Sequence, residues 1–204
     1  MLTKLPNLLT FSRIAVIPLL VATFYLPQGP GNWLGCVLFV AAAVTDWLDG
    51  HFARRWKQQS EIGRFLDPIA DKLLVGAALF MLAASQRISP SAILPALVIL
   101  AREILVSGLR EYLAGLRVRV PVSALAKWKT AIQMTAIGIL LIGDAGPASL
   151  PLRLIGETLL WVAALLTIVT GYDYLRAGLR HMNDADERPQ RRRGMKTIKP
   201  SRVL

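Results

Sequence analysis

The chain has 204 residues, 54% of them hydrophobic, and a mean hydropathy of +0.47, too apolar for an ordinary soluble domain of this size. Its net charge of +11 comes from 24 Lys and Arg against 13 Asp and Glu. Because those basic residues flank apolar runs, anionic lipid headgroups suit them as partners and nucleic acid does not. One cysteine, Cys36, excludes an intrachain disulfide and a cysteine metal site.

In chain order, "MLTKLPNLLTFSRIAVIPLLVATFYL" reads as a short interfacial helix leading into a first span at 14–26. Arg13 interrupts the apolar run and no small-residue cleavage pattern follows, so a cleavable signal peptide is not expected. A second span, 33–53, holds "WLGCVLFVAAAV" and ends in "TDWLDGHFARRW"; a third, 64–84, opens with "GRFLDPIADKLL". Three more follow at 91–112, 124–142 and 152–175, lengths that suit a hydrocarbon core of about 30 Å. Between them, "LPQGPGN", "RRWKQQSEIG", "SQRISP", "AGLRVRVPVS" and "GDAGPASLP" carry the Pro, Gly and polar residues of turns. The expected fold is therefore all-α, an integral membrane bundle of six transmembrane helices. Residues 1–183 form the membrane domain, and the basic tail, 184–204, is expected to be disordered.

Charge sets the orientation. Nearly every Lys and Arg lies in the loops after spans two and four, at the chain ends or at the adjoining helix ends; the opposite loops hold only Arg87 and Arg153. By the positive-inside rule both termini are expected in the cytoplasm. Asp46, Asp49, Asp67 and Asp71 then fall at the cytoplasmic end of spans two and three.

A carboxylate beside hydrocarbon-like sequence is costly, so four within 26 residues ask for a reason. At 100° per residue, Asp46, Asp49, Gly50 and Ala53 share one face of span two. Asp67 and Asp71 are i, i+4 on span three, with Gly63 one turn earlier. Two such faces make an oxygen-lined pocket for hard cations, Mg²⁺ or Mn²⁺, and without cations the carboxylates would repel one another. Small residues between them let a ligand or a second helix approach the backbone. The plainer alternative is a set of interhelical pairs with Arg54, Arg55 and Arg64, and a proton or ion pathway is another.

The spacing Asp46-x2-Asp49-Gly50-x2-Ala53-Arg54-x8-Gly63-x3-Asp67-x3-Asp71 resembles, without a gap, the signature of the CDP-alcohol phosphotransferase family. The stretches "LPNLLTFSRIAVIPL", "AREILVSGLREYLA" and "AKWKTAIQM" are similar to the members that join CDP-diacylglycerol to sn-glycerol 3-phosphate. The resemblance implies an enzyme of the bacterial inner membrane, a homodimer, in which a primary hydroxyl attacks the lipid-side phosphorus and expels CMP. It implies two divalent ions on Asp46, Asp49, Asp67 and Asp71, with Asp71 as general base. Arg54, Gly50, Ala53 and Gly63 would then take CDP-diacylglycerol, with Asn7, Thr10 and Arg13 closing the nucleotide side.

The acceptor is a dianion and needs its own cations. Arg102 and Arg110, eight apart on span four, and Lys127 and Lys129, at the start of span five, are the candidates. Snorkelling to lipid headgroups explains Lys127, Lys129, Arg117 and Arg119 equally well. Glu103 and Glu111 are candidates to orient the arginines, while His51 and His181 read as surface residues. A family member with another acceptor, such as a cardiolipin synthase, would share every aspartate. An ion-coupled transporter should show broken helices or repeat symmetry, and neither is legible. A nucleic-acid-binding membrane protein would depend on the tail.

Overall fold

A computed structural model describes the backbone of residues 5–56, 61–115 and 124–195, and side chains over 11–45, 66, 68–115, 124–172 and 174–176. Six helices make up the fold: α1 (Leu5–Thr23), α2 (Pro30–Trp56), α3 (Glu61–Ala84), α4 (Ile93–Gly115), α5 (Ala124–Ile142) and α6 (Leu152–Met195). Short 3-10 turns, Pro90–Ala92 and Gly143–Ala145, sit before α4 and after α5. Helices satisfy every backbone polar group internally, which a hydrocarbon surrounding demands. Among the described residues, three helical stretches are long and apolar enough to cross a membrane: Pro90–Gly115, Ala124–Ala145 and Leu152–Arg176. Phe11–Thr23 and Pro30–Thr45 are shorter apolar helices. The chain is a multi-pass membrane protein.

Two expectations need correcting. The separate N-terminal interfacial helix does not form: residues 5–23 make one continuous helix through Arg13. No glycine or proline separates Asn7 from Ile17, so nothing in the backbone breaks the helix there. Arg13 is accommodated by burial, at 2% exposure. The first apolar helix also stops at Thr23 rather than 26, where Phe24, Tyr25 and Leu26 turn back onto the carbonyls of Val21, Ala22 and Thr23. At the other end of the chain, α6 runs to Met195. Residues 196–204 lie outside the described residues.

α6 packs on both α4 and α5, α1 on both α2 and α3, and α2 on α5 joins the two groups. Leu20, Leu82, Ile99, Ile137, Leu140 and Leu160 are fully buried in the shared core. Gly156 lets α6 approach α5: a Cβ there would fall 2.6 Å from the Leu140 side chain. Outward-facing Leu97, Ile104, Leu105, Leu154, Leu165 and Ile168 remain exposed, as a lipid-facing surface requires.

The end of the bundle where α3 turns towards α4 is held by polar contacts. Ser89 caps the turn before α4, accepting from the Ala92 amide at 3.3 Å. Its own amide and hydroxyl donate to the two carboxylate oxygens of Glu157 at 2.7 and 2.8 Å. Asn32 donates to the Ile142 carbonyl at 2.8 Å, and Trp33 to that of Ala145 at 3.2 Å. Arg87 donates to the Leu141 carbonyl at 3.3 Å and stacks 4.4 Å from the Phe24 ring centre. Burial pulls the Arg87 guanidinium below its ordinary pKa and nearby Asp144 opposes this; an arginine stays charged regardless.

Candidate active site

At the opposite end, α3, α4, α5 and α6 enclose a polar cavity of about 360 Å³. Asp71 and Lys72 line it from α3, Arg102, Glu103 and Arg110 from α4, Lys129 and Gln133 from α5, and Tyr174 from α6. Among the described residues, four cations thus face two carboxylates, Asp71 and Glu103. In a partly desolvated pocket such a set of cations favours a dianion such as a phosphate monoester.

Arg102 sits in the spanning part of α4, where an unsupported charge would be costly. Its guanidinium donates to the Thr170 hydroxyl at 3.1 Å and lies 3.7 Å from a Glu103 oxygen. Gly171 makes room for the stem: a Cβ there would stand 3.2 Å from the Arg102 Cγ. Arg102 Nε has no hydrogen-bond partner among the described residues. Tyr174 lies beneath both arginines, its ring centre 5.9 Å from the Arg102 guanidinium carbon and 6.0 Å from that of Arg110. Arg110 itself is exposed at the cavity wall. Both arginines line the cavity, Arg102 with its stem held against Gly171 and its guanidinium on Thr170.

Lys129 is 1% exposed and donates to Glu103, which joins α5 to α4 across the cavity floor. Asp71 lies near enough to interact with Lys129 electrostatically. Lys72 donates to the Pro68 carbonyl one turn back, at 2.8 Å. Pro68 leaves no interruption in α3, which carries Asp67 and Asp71 on one continuous helix.

Of the expected acceptor residues, Arg102, Arg110 and Lys129 are brought together, whereas Lys127 is exposed and does not line the cavity. Glu103 orients Arg102 and Lys129, but Glu111 is exposed and lines a different cavity, an apolar one of about 1120 Å³ among α1, α3 and α4. Arg13 is buried on α1 and does not line the polar cavity. Asp46, Asp49, Gly50, Ala53 and Arg54 fall on the last turns of α2, and Gly63 and Asp67 on the first turns of α3. Their side-chain surroundings, like those of Asn7 and Thr10 on α1, lie outside the described residues. Gln133, Thr170, Gly171 and Tyr174 went unassigned from sequence. A signal was present in "LLTIVTGYDYL", where Thr167, Thr170 and Tyr174 mark one stripe of an otherwise apolar helix.

A family model for CDP-alcohol phosphatidyltransferase matches residues 3–169, most of the chain. The chain belongs to this family. Proteins named CDP-diacylglycerol--glycerol-3-phosphate 3-phosphatidyltransferase are similar to it along most of their length. One from Rickettsia bellii is 51% identical over 174 residues, 85% of this chain and 94% of that one. One from Cereibacter sphaeroides is 38% identical over 217 aligned positions, 89% of this chain and 98% of its own. One from Shigella flexneri is 41% identical over 183 positions, with the same two shares of 89% and 98%.

Proposed function

We propose that this protein transfers the phosphatidyl group of CDP-diacylglycerol to sn-glycerol 3-phosphate, giving phosphatidylglycerophosphate and CMP. The observation that carries the acceptor assignment is that, among the described residues, Arg102, Arg110 and Lys129 converge on one cavity beside Asp71. A phosphate dianion suits those cations, and the names of the relatives support the same acceptor. A cardiolipin synthase of the same family would have to admit a lipid whose phosphate is a diester monoanion. Arg102, Arg110 and Lys129 on one cavity suit a phosphate monoester dianion better than a diester monoanion.

In this reading Arg102, Arg110 and Lys129 hold the acceptor phosphate, and Glu103 keeps Lys129 and Arg102 aimed at it. The Asp71 carboxylate takes the proton of the primary hydroxyl. The freed oxygen forms a bond to the lipid-side phosphorus, the bond to the bridging oxygen breaks, and CMP leaves with that electron pair. Positioning and charge neutralisation carry most of such a transfer. Asp46, Asp49, Asp67 and Asp71 form an all-oxygen donor set suited to one or two Mg²⁺ or Mn²⁺ ions. Bound there, the ions would supply neutralisation of the pyrophosphate and of the leaving oxygen. Gly50, Ala53, Arg54 and Gly63 take the nucleotide, with Asn7, Thr10 and Arg13 on its far side. Lys127, on the outside of α5, is left to lipid headgroups.

The same reading makes all six helices membrane spans, with both termini and the site on the cytoplasmic side of a bacterial inner membrane. There the water-soluble acceptor and the lipid donor can meet. It also includes a homodimer. Of the small residues Gly76, Ala77 and Ala78 on α3, Ala78 is fully buried within the chain, while Gly76 and Ala77 face the apolar cavity beside α4. Light-scattering mass in detergent tests the dimer, and a monomer rejects it.

The enzymatic reading is tested with radiolabelled glycerol 3-phosphate and CDP-diacylglycerol. Label should pass into lipid, stop with EDTA and resume with Mg²⁺ or Mn²⁺. Label that stays in the aqueous phase rejects the acceptor, and activity that survives EDTA rejects the metal site.

A further inference from the structure

Along α5, Lys129, Gln133 and Ile137 follow one another at four-residue intervals, and all three are buried. The first two line the polar cavity; Ile137 lies in the apolar core beneath. Lys129 is committed to Glu103. Gln133 differs: it is 2% exposed and lines the cavity, yet its Oε1 has no hydrogen-bond partner among the described residues. A buried amide carbonyl left unpaired is disfavoured, so a ligand that brings a donor to it gains selectivity over one that does not.

Gln133 is neutral, so it suits the uncharged part of an anionic ligand. On the acceptor reading above, on which this inference rests, the phosphate belongs to Arg102, Arg110 and Lys129 and the primary hydroxyl to Asp71. The middle hydroxyl of the three-carbon acceptor is the group left without a partner. We propose that Gln133 reads this secondary hydroxyl, making it a specificity-determining residue for a polyol phosphate over a simple alkyl phosphate. Gln133 stands one helical turn, about 6 Å, along α5 from Lys129, which leaves a three-carbon backbone room between phosphate and amide. A hydroxyl both donates and accepts, so it satisfies whichever end of the amide faces it.

The test compares two acceptors in the full-length detergent-solubilised protein with CDP-diacylglycerol. One is sn-glycerol 3-phosphate; the other, propane-1,3-diol monophosphate, keeps the phosphate and a primary hydroxyl but lacks the middle one. The unaltered protein should prefer the first in kcat/KM by about tenfold or more. In Gln133→Met and Gln133→Leu the preference should shrink to within about twofold, through loss on glycerol 3-phosphate with the analogue's rate kept. Equal use of the two acceptors by the unaltered protein overturns the inference without any variant. An unchanged preference in the variants, or an equal fall on both acceptors, also overturns it by leaving Gln133 only a packing role. If the unaltered protein uses neither acceptor, the acceptor reading itself fails and takes this inference with it.

Discussion

Where α3 turns towards α4, Glu157 accepts two hydrogen bonds from Ser89 and one from Arg153, and Arg87 is stacked on Phe24 and bonded to the Leu141 carbonyl. At the opposite end four cations meet two carboxylates around a cavity, and Arg102 Nε and Gln133 Oε1 have no partner among the described residues. The first end uses its polar groups to fasten loops to helices; Asn32 Oδ1 is the exception there among the described residues. The second, among the described residues, gathers more cations than carboxylates around a cavity. A buried polar group with a partner stabilises the fold, and one without it is disfavoured until a ligand arrives. The two ends therefore differ in what they contribute: the first stability, the second contacts left open for a ligand that brings an acceptor to Arg102 and a donor to Gln133.

The sharpest way to separate them is Asp71→Asn. At the cavity end this change removes the proton acceptor while keeping size, so transfer should fall on the order of a hundredfold to ten-thousandfold. The thermal midpoint in detergent should barely move. Turnover close to that of the unaltered protein would remove Asp71 from its role.

Next come Lys129→Ala and Arg110→Ala. Each removes a charge-assisted contact to the acceptor phosphate and should cost tenfold to a hundredfold, roughly, in kcat/KM for glycerol 3-phosphate. The KM for CDP-diacylglycerol should stay nearly constant, because the nucleotide is held by other residues. Equal effects on both substrates would show that the division of the site is wrong. Lys129→Ala should also lower stability, since it leaves Glu103 without its closest cation.

At the fastened end, Glu157→Gln should show the reverse pattern. A carboxamide has one acceptor oxygen where Ser89 needs two, so stability should drop by about 1 kcal/mol, read as a lower melting midpoint. Both KM values should be unaffected; an altered acceptor KM would mean that the two ends are coupled. The smallest effect is expected from Lys127→Ala, within about twofold in kcat/KM, because an exposed charge is well screened. A large rise in acceptor KM there would return Lys127 to the site.

Much of this was legible in the sequence, for physical reasons that differ between elements. α2 to α5 fall within a few residues of their expected spans, since apolar length and flanking Pro, Gly and charge fix both ends of such a helix. Arg102 stood out because a guanidinium after "ILPALVIL" has no solvent to retreat to. Lys127 and Lys129 could not be told apart, being two residues apart at a helix start. Only packing against α6 and α2 decides which one turns inward. Tyr174 and Gln133 escaped because an isolated polar residue in an apolar helix reads as internal packing until the facing helices are known. The continuous α1 shows the converse: a charge within an apolar run was taken for a break, but the backbone tolerates Arg13 and the bundle buries it.

The most direct measurement is CMP release from purified protein supplied with CDP-diacylglycerol and one alcohol at a time. With Arg102, Arg110 and Lys129 facing the cavity, sn-glycerol 3-phosphate should drive release, while glycerol, lacking the phosphate, and phosphatidylglycerol, whose phosphate is a diester monoanion, should not. Release with glycerol or phosphatidylglycerol at the rate seen with glycerol 3-phosphate would contradict the account. It would mean that the four cations serve something other than the acceptor's phosphate.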